Sequence, residues 1–245
     1  TRRGFGEYEQ NVLTLYLADG QTMNGGQLYA FHFRVINPGI NQPAGDVEVS
    51  AQSSAGALQS IAPRDMIFPR ADPVLGVVGG AVPLTCVVPS FVRSLVGQSN
   101  PLASNENILT VSLIANVELS ALEGTYIILR GFRSVVLPKR VKLLSTEHDN
   151  VTAIELFDAE YADDALNLSL KGNTTMSANV IHEFAFEVSN PAAEQPASEL
   201  EVEAGAAPFA RDPLRGQSLL IAREVLPGPN VDLIGVINGS NPMLI

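Results

Sequence analysis

Four asparagines carry the N-x-Ser/Thr pattern that N-linked glycosylation requires, each with a residue other than proline in the middle position. Chance alone gives about one or two such patterns in a chain of this length. Asn173 falls at a predicted hairpin tip, where a glycan would fit, and Asn167 alternates with two leucines, so it should point outward. If the chain is secreted, we expect at least one glycan among the four candidates: Asn150, Asn167, Asn173 and Asn238.

Acidic side chains flank one predicted strand and are the better candidates for a metal site. Calcium is held by several oxygen ligands and often bridges tandem domains. The chain has no DxDxDG loop, however. The sequence therefore predicts no metal and no other cofactor, with calcium as a weak alternative at Asp158, Asp163 and Asp164.

The spacing of the three histidines does not indicate nucleophilic or acid–base catalysis. His32 and His182 are predicted on strand surfaces, and His148 lies in a polar turn. No Ser/His/Asp set can be assembled. The single cysteine, Cys86, excludes a disulfide framework within one chain and is predicted to be a small buried hydrophobe. We therefore expect no catalytic residues and no enzyme activity.

The composition indicates a folded chain with an acidic surface, which does not suit the binding of nucleic acid. Hydrophobic residues make up 46%, and the net charge is -11 with 15 scattered Lys and Arg residues. Nucleic acid requires a concentrated basic face, so it is not an expected partner. The uncharged stretch from Val74 to Val92 is long enough to span a membrane, but its glycines and prolines break a helix. We predict extended segments there and no membrane span.

An internal repeat organises the chain. Leu13–Ala51 aligns with Leu166–Ala204 without a gap, at an offset of about 153 residues and with about 16 of 39 positions identical. Tyr8 matches Tyr161 in the same register. The match resumes near Phe68 at an offset of about 141, which predicts an insertion of about 12 residues in the first copy.

The shared positions predict strands. Apolar and polar residues alternate, which is the period of a strand with one buried face, whereas a helix needs spacings of three and four. Asn37-Pro38 and Asn190-Pro191 are predicted turns that end these strands. The predicted inward-facing core comprises Leu13, Leu15, Leu17, Phe31, Phe33 and Val35 in the first copy and Leu166, Leu168, Leu170, Phe184, Phe186 and Val188 in the second.

The predicted fold is all-β, with tandem immunoglobulin-like β-sandwich domains joined by extended linkers that contain proline and glycine. Further strands are predicted at Ile108–Leu113, Thr125–Gly131, Val141–Leu144, Thr152–Phe157 and Leu200–Glu203, while Leu219–Val225 fits a strand or two helical turns. The predicted domains are the second half of a sandwich at 1–52, a linker at 53–104, a complete sandwich at 105–206 and a second linker at 207–245.

Residues 1–52 match only the second half of the complete domain. The strands that would complete the first domain are then expected from a longer array or from a neighbouring chain, because an open sheet edge of that size invites pairing.

Several elements in a set order resemble a known family. Gln98–Pro101, Asn105–Val111, Asn116–Leu119 and Gly124–Phe132 are followed by the LxLxL and FxFxVxNP strands. This order resembles the repeats of very large secreted surface proteins of algae and other protists, of the mastigoneme (flagellar hair) kind. The resemblance covers nearly the whole chain. It implies stacked sandwich domains in a glycosylated extracellular fibre.

The function expected from these observations is that of a structural subunit of an extracellular filament or surface appendage, with copies of itself or related repeats as partners. One alternative is an adhesion or carbohydrate-binding sandwich, which the absence of tryptophan disfavours. The other is an intracellular β-rich lattice or shell protein, which the single cysteine and the acidic balance permit.

Overall fold

A computed structural model describes residues 5–52, 60–68, 72–146, 153–196, 198–205 and 220–226. The chain divides into two compact units, Thr1–Ile36 and Asn37–Ile245. This division falls within the first copy of the repeat, whereas the boundary predicted from the sequence follows residue 52.

A single hairpin provides the strands of the first unit. β1 (Phe5–Glu9) pairs antiparallel with β2 (Val12–Tyr16). Gln10 and Asn11 form the connection with φ values of 50° and 65°. Two successive residues with positive φ give the turn whose twist matches that of the flanking strands.

The second unit contains a sandwich of two antiparallel sheets. In the four-stranded sheet, the spatial order is β5, β6, β13, β9, and in the five-stranded sheet it is β10, β11, β8, β14, β15. The strands of the first sheet are β5 (Phe91–Gln98), β6 (Glu106–Ala115), β13 (His182–Ser189) and β9 (Leu143–Leu144). Those of the second are β10 (Phe157–Ala162), β11 (Ala165–Leu170), β8 (Tyr126–Arg130), β14 (Leu200–Gly205) and β15 (Leu220–Leu226).

Small elements complete the second unit. β3 (Glu48–Ala51) pairs with β4 (Ile61–Asp65), and β7 (Leu119–Ser120) pairs with β12 (Thr175–Met176). A 3-10 turn at Ala121–Glu123 ends at Gly124, whose φ of 62° suits a residue without a side chain. No helix in the described ranges is long and apolar enough to cross a membrane.

The sandwich core follows from strand alternation. On β6, Leu109, Val111 and Leu113 face inward and are fully buried. They pack with buried residues of β8, β11, β13 and β14 in one hydrophobic cluster. The all-β prediction is confirmed, since the described residues form antiparallel sheets with almost no helix.

Two predicted linkers contain strands instead. β4 and β5 lie within 53–104, and β5 is an edge strand of the sandwich, which therefore begins at Phe91 and not at residue 105. A register shift between Phe91 and Arg93 interrupts the alternation of β5, which hid it in the sequence. β15 lies within 207–245, and Leu219–Val225, where a helix was an option, is mostly strand.

One predicted strand is partly helical. Thr152–Phe157 was expected to be extended, but Ala153–Leu156 forms a single helical turn (α1), and β10 starts at Phe157. Leu156 and Phe157 are both buried. Two adjacent side chains of one strand point to opposite faces, so the change from helix to strand lets both reach the core.

A matched pair of substitutions tests whether the core position matters in both copies. We expect Phe186→Ala to lower the free energy of unfolding by about 3–5 kcal/mol, because it removes a fully buried ring. The equivalent change Phe33→Ala should alter it by less than about 0.5 kcal/mol, because Phe33 is exposed. Chemical denaturation followed by circular dichroism measures both. Equal losses would contradict the assignment.

Candidate assembly surface

The two copies of the repeat form the same hairpin. Tyr8 lies opposite Leu13 in β1–β2, and Tyr161 lies opposite Leu166 in β10–β11, at the sequence offset of the repeat. The second hairpin also turns through two residues with positive φ, Asp163 at 52° and Asp164 at 57°. The repeat therefore specifies strand register and turn type, in addition to apolar positions.

A tyrosine side chain fastens the turn in each copy. The hydroxyl of Tyr8 donates to Asn11 Oδ1 at 3.1 Å, and that of Tyr161 donates to Asp164 Oδ1 at 3.2 Å. Burial, and then the charge of Asp164, raise the pKa of Tyr161 above its usual value of 10.0. The hydroxyl of Tyr161 therefore keeps its proton and can donate this hydrogen bond throughout the neutral pH range, and it loses the proton only in alkali.

The following hairpin is also shared. β3–β4 has a register shift between Val49 and Ala51, and β14–β15 has the same shift between Val202 and Ala204. Ala51 pairs with Ile61, whereas Ala204 pairs with Ile221, which lies further along the chain. The connection of this hairpin is therefore longer in the second copy, whereas the match on which the predicted insertion depends falls on residues 209–213, which lie outside the described residues.

The apolar ladder, defined as Leu13, Leu15, Leu17, Phe31, Phe33 and Val35, is the main difference between the copies. Phe31, Phe33 and Val35 are 58%, 61% and 58% exposed and lie outside any strand of the described residues, so their predicted inward position is wrong for this structure. Leu15 and Leu17 are also exposed, and Leu13 is half-buried.

The second copy carries the same residues in a buried setting. Phe184, Phe186 and Val188 on β13 are 0%, 0% and 3% exposed, and Leu166 and Leu168 on β11 are buried. Leu170 is partly buried against the same core. Burying one large apolar side chain stabilises a fold or a complex by about 1.5–3 kcal/mol. The exposed side chains of the apolar ladder therefore lack this stabilisation in the first copy.

The local shape of the ladder is already present in the first copy. The rings of Phe31 and Phe33 lie 6.2 Å apart at 22°, and those of Phe184 and Phe186 lie 6.5 Å apart at 26°. Alternate residues of an extended segment point to one face, so both pairs present the same ridge. Among the described residues, nothing covers this ridge in the first copy.

A front half, defined as β5–β9 (Phe91–Leu144), supplies that cover in the second copy. Val111 lies opposite Phe184, and Leu109 lies opposite Phe186. Phe132 contacts Phe186 edge-on, with ring centroids 5.9 Å apart.

The front half also pairs with the strand that carries the leucines. Ile127 of β8 lies opposite Leu168 of β11, and both residues are buried.

A buried polar cluster, the asparagine latch, joins the front half to the repeat. Asn107 Nδ2 donates to Asn190 Oδ1 at 2.9 Å and to Gln98 Oε1 at 3.0 Å. All three residues are almost fully buried. Because each polar atom in such a site needs a partner, the latch fixes a single alignment of β5, β6 and β13.

The latch also holds the loop that precedes β6. Asn107 Oδ1 accepts from the backbone N–H groups of Ser99 at 3.1 Å and Asn100 at 3.0 Å. Asn190 Nδ2 donates to the carbonyls of Asn100 at 2.8 Å and Leu102 at 2.9 Å. The sequence indicated Asn190-Pro191 only as a turn, whereas the side chain of Asn190 is structural. Its counterpart, Asn37 with Pro38, is exposed.

A second contact, the clasp, ties the end of the first copy to the segment that enters the sandwich. Gln42 and Cys86 exchange two backbone hydrogen bonds of 2.8 and 2.9 Å, and Gln42 Nε2 donates to the carbonyl of Leu84 at 2.8 Å. Asn41 Oδ1 accepts from the N–H of Val88 at 2.7 Å. Cys86 is buried, in agreement with the prediction from the sequence.

The glycosylation candidates fall in different settings. Asn173 is exposed in the turn between β11 and β12, the most accessible position of the described candidates. Asn167 lies on β11 and is half-buried, with its Nδ2 at 3.5 Å from two backbone carbonyls, which is at the limit for a hydrogen bond. Asn150 and Asn238 lie outside the described residues.

The weak calcium candidates have other roles. Asp158 pairs with Lys171 at 3.4 Å, while Asp163 and Asp164 form the turn of the β10–β11 hairpin. Across the described part of the chain, no three His, Cys, Asp or Glu side chains come together as a metal site requires.

Two buried polar residues escaped the sequence analysis. His182 was expected on a strand surface, but it is 1% exposed and lies opposite Leu113. His182 lies two residues before Phe184, and residues two apart on a strand point to the same face, so the sequence did contain a signal that His182 faces inward. Glu183, on the other face of β13, is also buried, next to buried Ser112. His148 lies outside the described residues, and His32 is exposed.

Known proteins give only distant likenesses. No protein-family model and no curated protein matches the chain. Domains D2 and D3 of the major pilin SpaD from Corynebacterium diphtheriae share 7% identity and a TM-score of 0.37, over 55% of this chain and 50% of that one. A C-terminal fragment of the major pilin GBS80 of Streptococcus agalactiae shares 8% identity and a TM-score of 0.30, over 57% of this chain and 56% of that one.

A third solved structure, the GH20 exo-β-N-acetylglucosaminidase of Vibrio harveyi, shares 13% identity with a TM-score of 0.32, over 57% of this chain and 18% of that one. The chain thus spans about half the length of the pilin chains and a small part of the glycosidase. The fold assignment rests on the strand order of this chain itself.

The asparagine latch makes a specific prediction. Asn190→Ala removes one of the two acceptors of Asn107 Nδ2 and leaves the carbonyls of Asn100 and Leu102 without their side-chain donor, and we expect the free energy of unfolding to fall by about 2–3 kcal/mol. The matched change Asn37→Ala should cost less than about 0.5 kcal/mol, because Asn37 is exposed. Urea denaturation measures both, and a neutral Asn190→Ala would show that the latch contributes nothing.

Proposed function

We propose that this chain is a structural subunit of an extracellular filament or surface appendage of the mastigoneme-like kind. In such a filament, sandwich domains follow one another as beads, and the chain has no catalytic role. The observation that carries the proposal is the repeat itself. Two copies share hairpin register, turn type and bulge, which indicates one structural unit used more than once.

The clasp supports a head-to-tail arrangement of such units. Gln42 belongs to the first copy, and the Leu84–Val88 segment with which it pairs leads into β5 of the next sandwich. Backbone hydrogen bonds between the end of one repeat and the entry to the next restrict the connection between them. A restricted connection is what an extended array requires, because freely jointed beads would not make a straight fibre.

Electron microscopy of the native material tests the proposal. We expect fibres with an axial repeat on the order of 30–40 Å or a small multiple of it, because the ten-residue strand β6 is about 33 Å long. The repeat should persist after a wash in high salt, since apolar contacts are not weakened by screening. Dispersed particles of single-chain size would contradict the filament role.

Glycopeptide mass spectrometry of the same material tests the extracellular location. We expect a glycan on Asn173, because it is exposed in a turn, and less or none on half-buried Asn167. Asn173→Gln should remove the added mass, and Asn173→Gln combined with Thr175→Ala should remove no more. Unmodified Asn150, Asn167, Asn173 and Asn238 would favour an intracellular lattice or shell.

A further inference from the structure

The apolar ladder of the first copy has a preformed shape and no cover among the described residues. Phe31 and Phe33 hold the ring arrangement of Phe184 and Phe186, yet more than half of each side chain is exposed. β2 pairs only with β1 in the described part of the chain, so its other edge offers backbone groups to a further strand.

The second copy shows what satisfies both features. There β8 occupies the edge of β11, with Ile127 opposite Leu168 and Leu129 opposite Leu166. The phenylalanine ridge is met by Leu109 of β6, which lies opposite Phe186. Every one of these partners comes from the front half, Phe91–Leu144.

We propose that the apolar ladder and the free edge of β2 are a docking surface for a front half built like Phe91–Leu144 and donated by another repeat of this kind. The donated β8-type strand runs antiparallel to β2, with its equivalent of Ile127 opposite Leu15 and of Leu129 opposite Leu13. The equivalent of Leu109 lies opposite Phe33. The inference deepens the filament proposal and rests on it for the existence of neighbouring repeats.

The matching register favours this partner over a lipid surface or an unrelated peptide. The β1–β2 hairpin has the pairing and the turn of β10–β11, so a front half meets the same strand edge in both copies. A lipid surface would use the apolar side chains but would leave the N–H and C=O groups of that edge without partners. Only an added strand satisfies the side chains and the backbone together.

A fusion tests the proposal on the full chain. Thr1 occupies the position of Ile154 in the repeat, so a duplicate of residues 87–153 joined directly to Thr1 reproduces the spacing that the second copy has. Starting at residue 87 avoids a second cysteine. We expect amide hydrogen exchange at residues 31–35 to slow by about 100-fold relative to the unfused chain. The matched control carries Leu109→Asp and Val111→Asp in the duplicate only, and it should leave exchange at the level of the unfused chain.

Cysteine cross-linking provides a second measurement that does not depend on global stability. In a Cys86→Ala background, Phe33→Cys with Leu109→Cys in the duplicate should form a disulfide under mild oxidation. Phe33→Cys with Leu113→Cys should not, because Leu113 lies opposite His182, the counterpart of Tyr29. Cross-linking of neither pair, or of both equally, would overturn the proposed register.

Three outcomes would overturn the inference. The first is unchanged exchange at residues 31–35 in a fusion whose duplicate is itself protected. The second is equal protection in the aspartate control. The third is slow amide hydrogen exchange at residues 31–35 in the unfused chain whenever that chain is dimeric. Such a result would show that the apolar ladders of two copies cover each other. The filament proposal fails separately, if the native material contains no fibres while the fusion still protects the ladder.

Discussion

The sandwich depends on one contact, the packing of the phenylalanine ridge of β13 against the leucines and valine of β6 and the ring of Phe132. Phe184 and Phe186 are fully buried there, and they join residues from two distant parts of the chain. They belong to the hydrophobic cluster that fills the space between the two sheets. The counterparts in the first copy, Phe31 and Phe33, are exposed.

Polar residues then fix an arrangement that apolar packing alone leaves loose. Leucine and phenylalanine tolerate small sliding movements, because the hydrophobic effect is not directional. The asparagine latch is directional, since each of its hydrogen bonds requires one alignment of β5, β6 and β13. The hydroxyls of Tyr8 and Tyr161 act in the same way within their own hairpins, because each fastens the turn that follows it.

Sequence reasoning found those features that repeat or alternate. The buried positions of Leu166, Phe184 and Phe186 followed from a period of two, and the all-β class followed from several such segments. Alternation of apolar residues shows which face of a strand is apolar, but it does not show whether another part of the structure covers that face. That is why the same argument failed for Phe31 and Phe33.

The asparagine latch was beyond the sequence for a related reason. Asn190 repeats as Asn37, but Asn107 comes from a part of the front half that has no second copy in the sequence for comparison. Pairing across that distance depends on topology, which local patterns do not contain. β5 was missed because a register shift breaks its alternation, and buried Glu183 was missed because alternation assigns it to solvent.

The short two-residue turns of the β1–β2 and β10–β11 hairpins have a consequence for how such a chain folds. Contacts close in sequence form early, so these hairpins can assemble within microseconds, whereas β6 must find β13 across a much longer stretch. In an array of such repeats, any front half would compete during that interval for any hairpin of the same register, so neighbouring repeats would be prone to exchange partners.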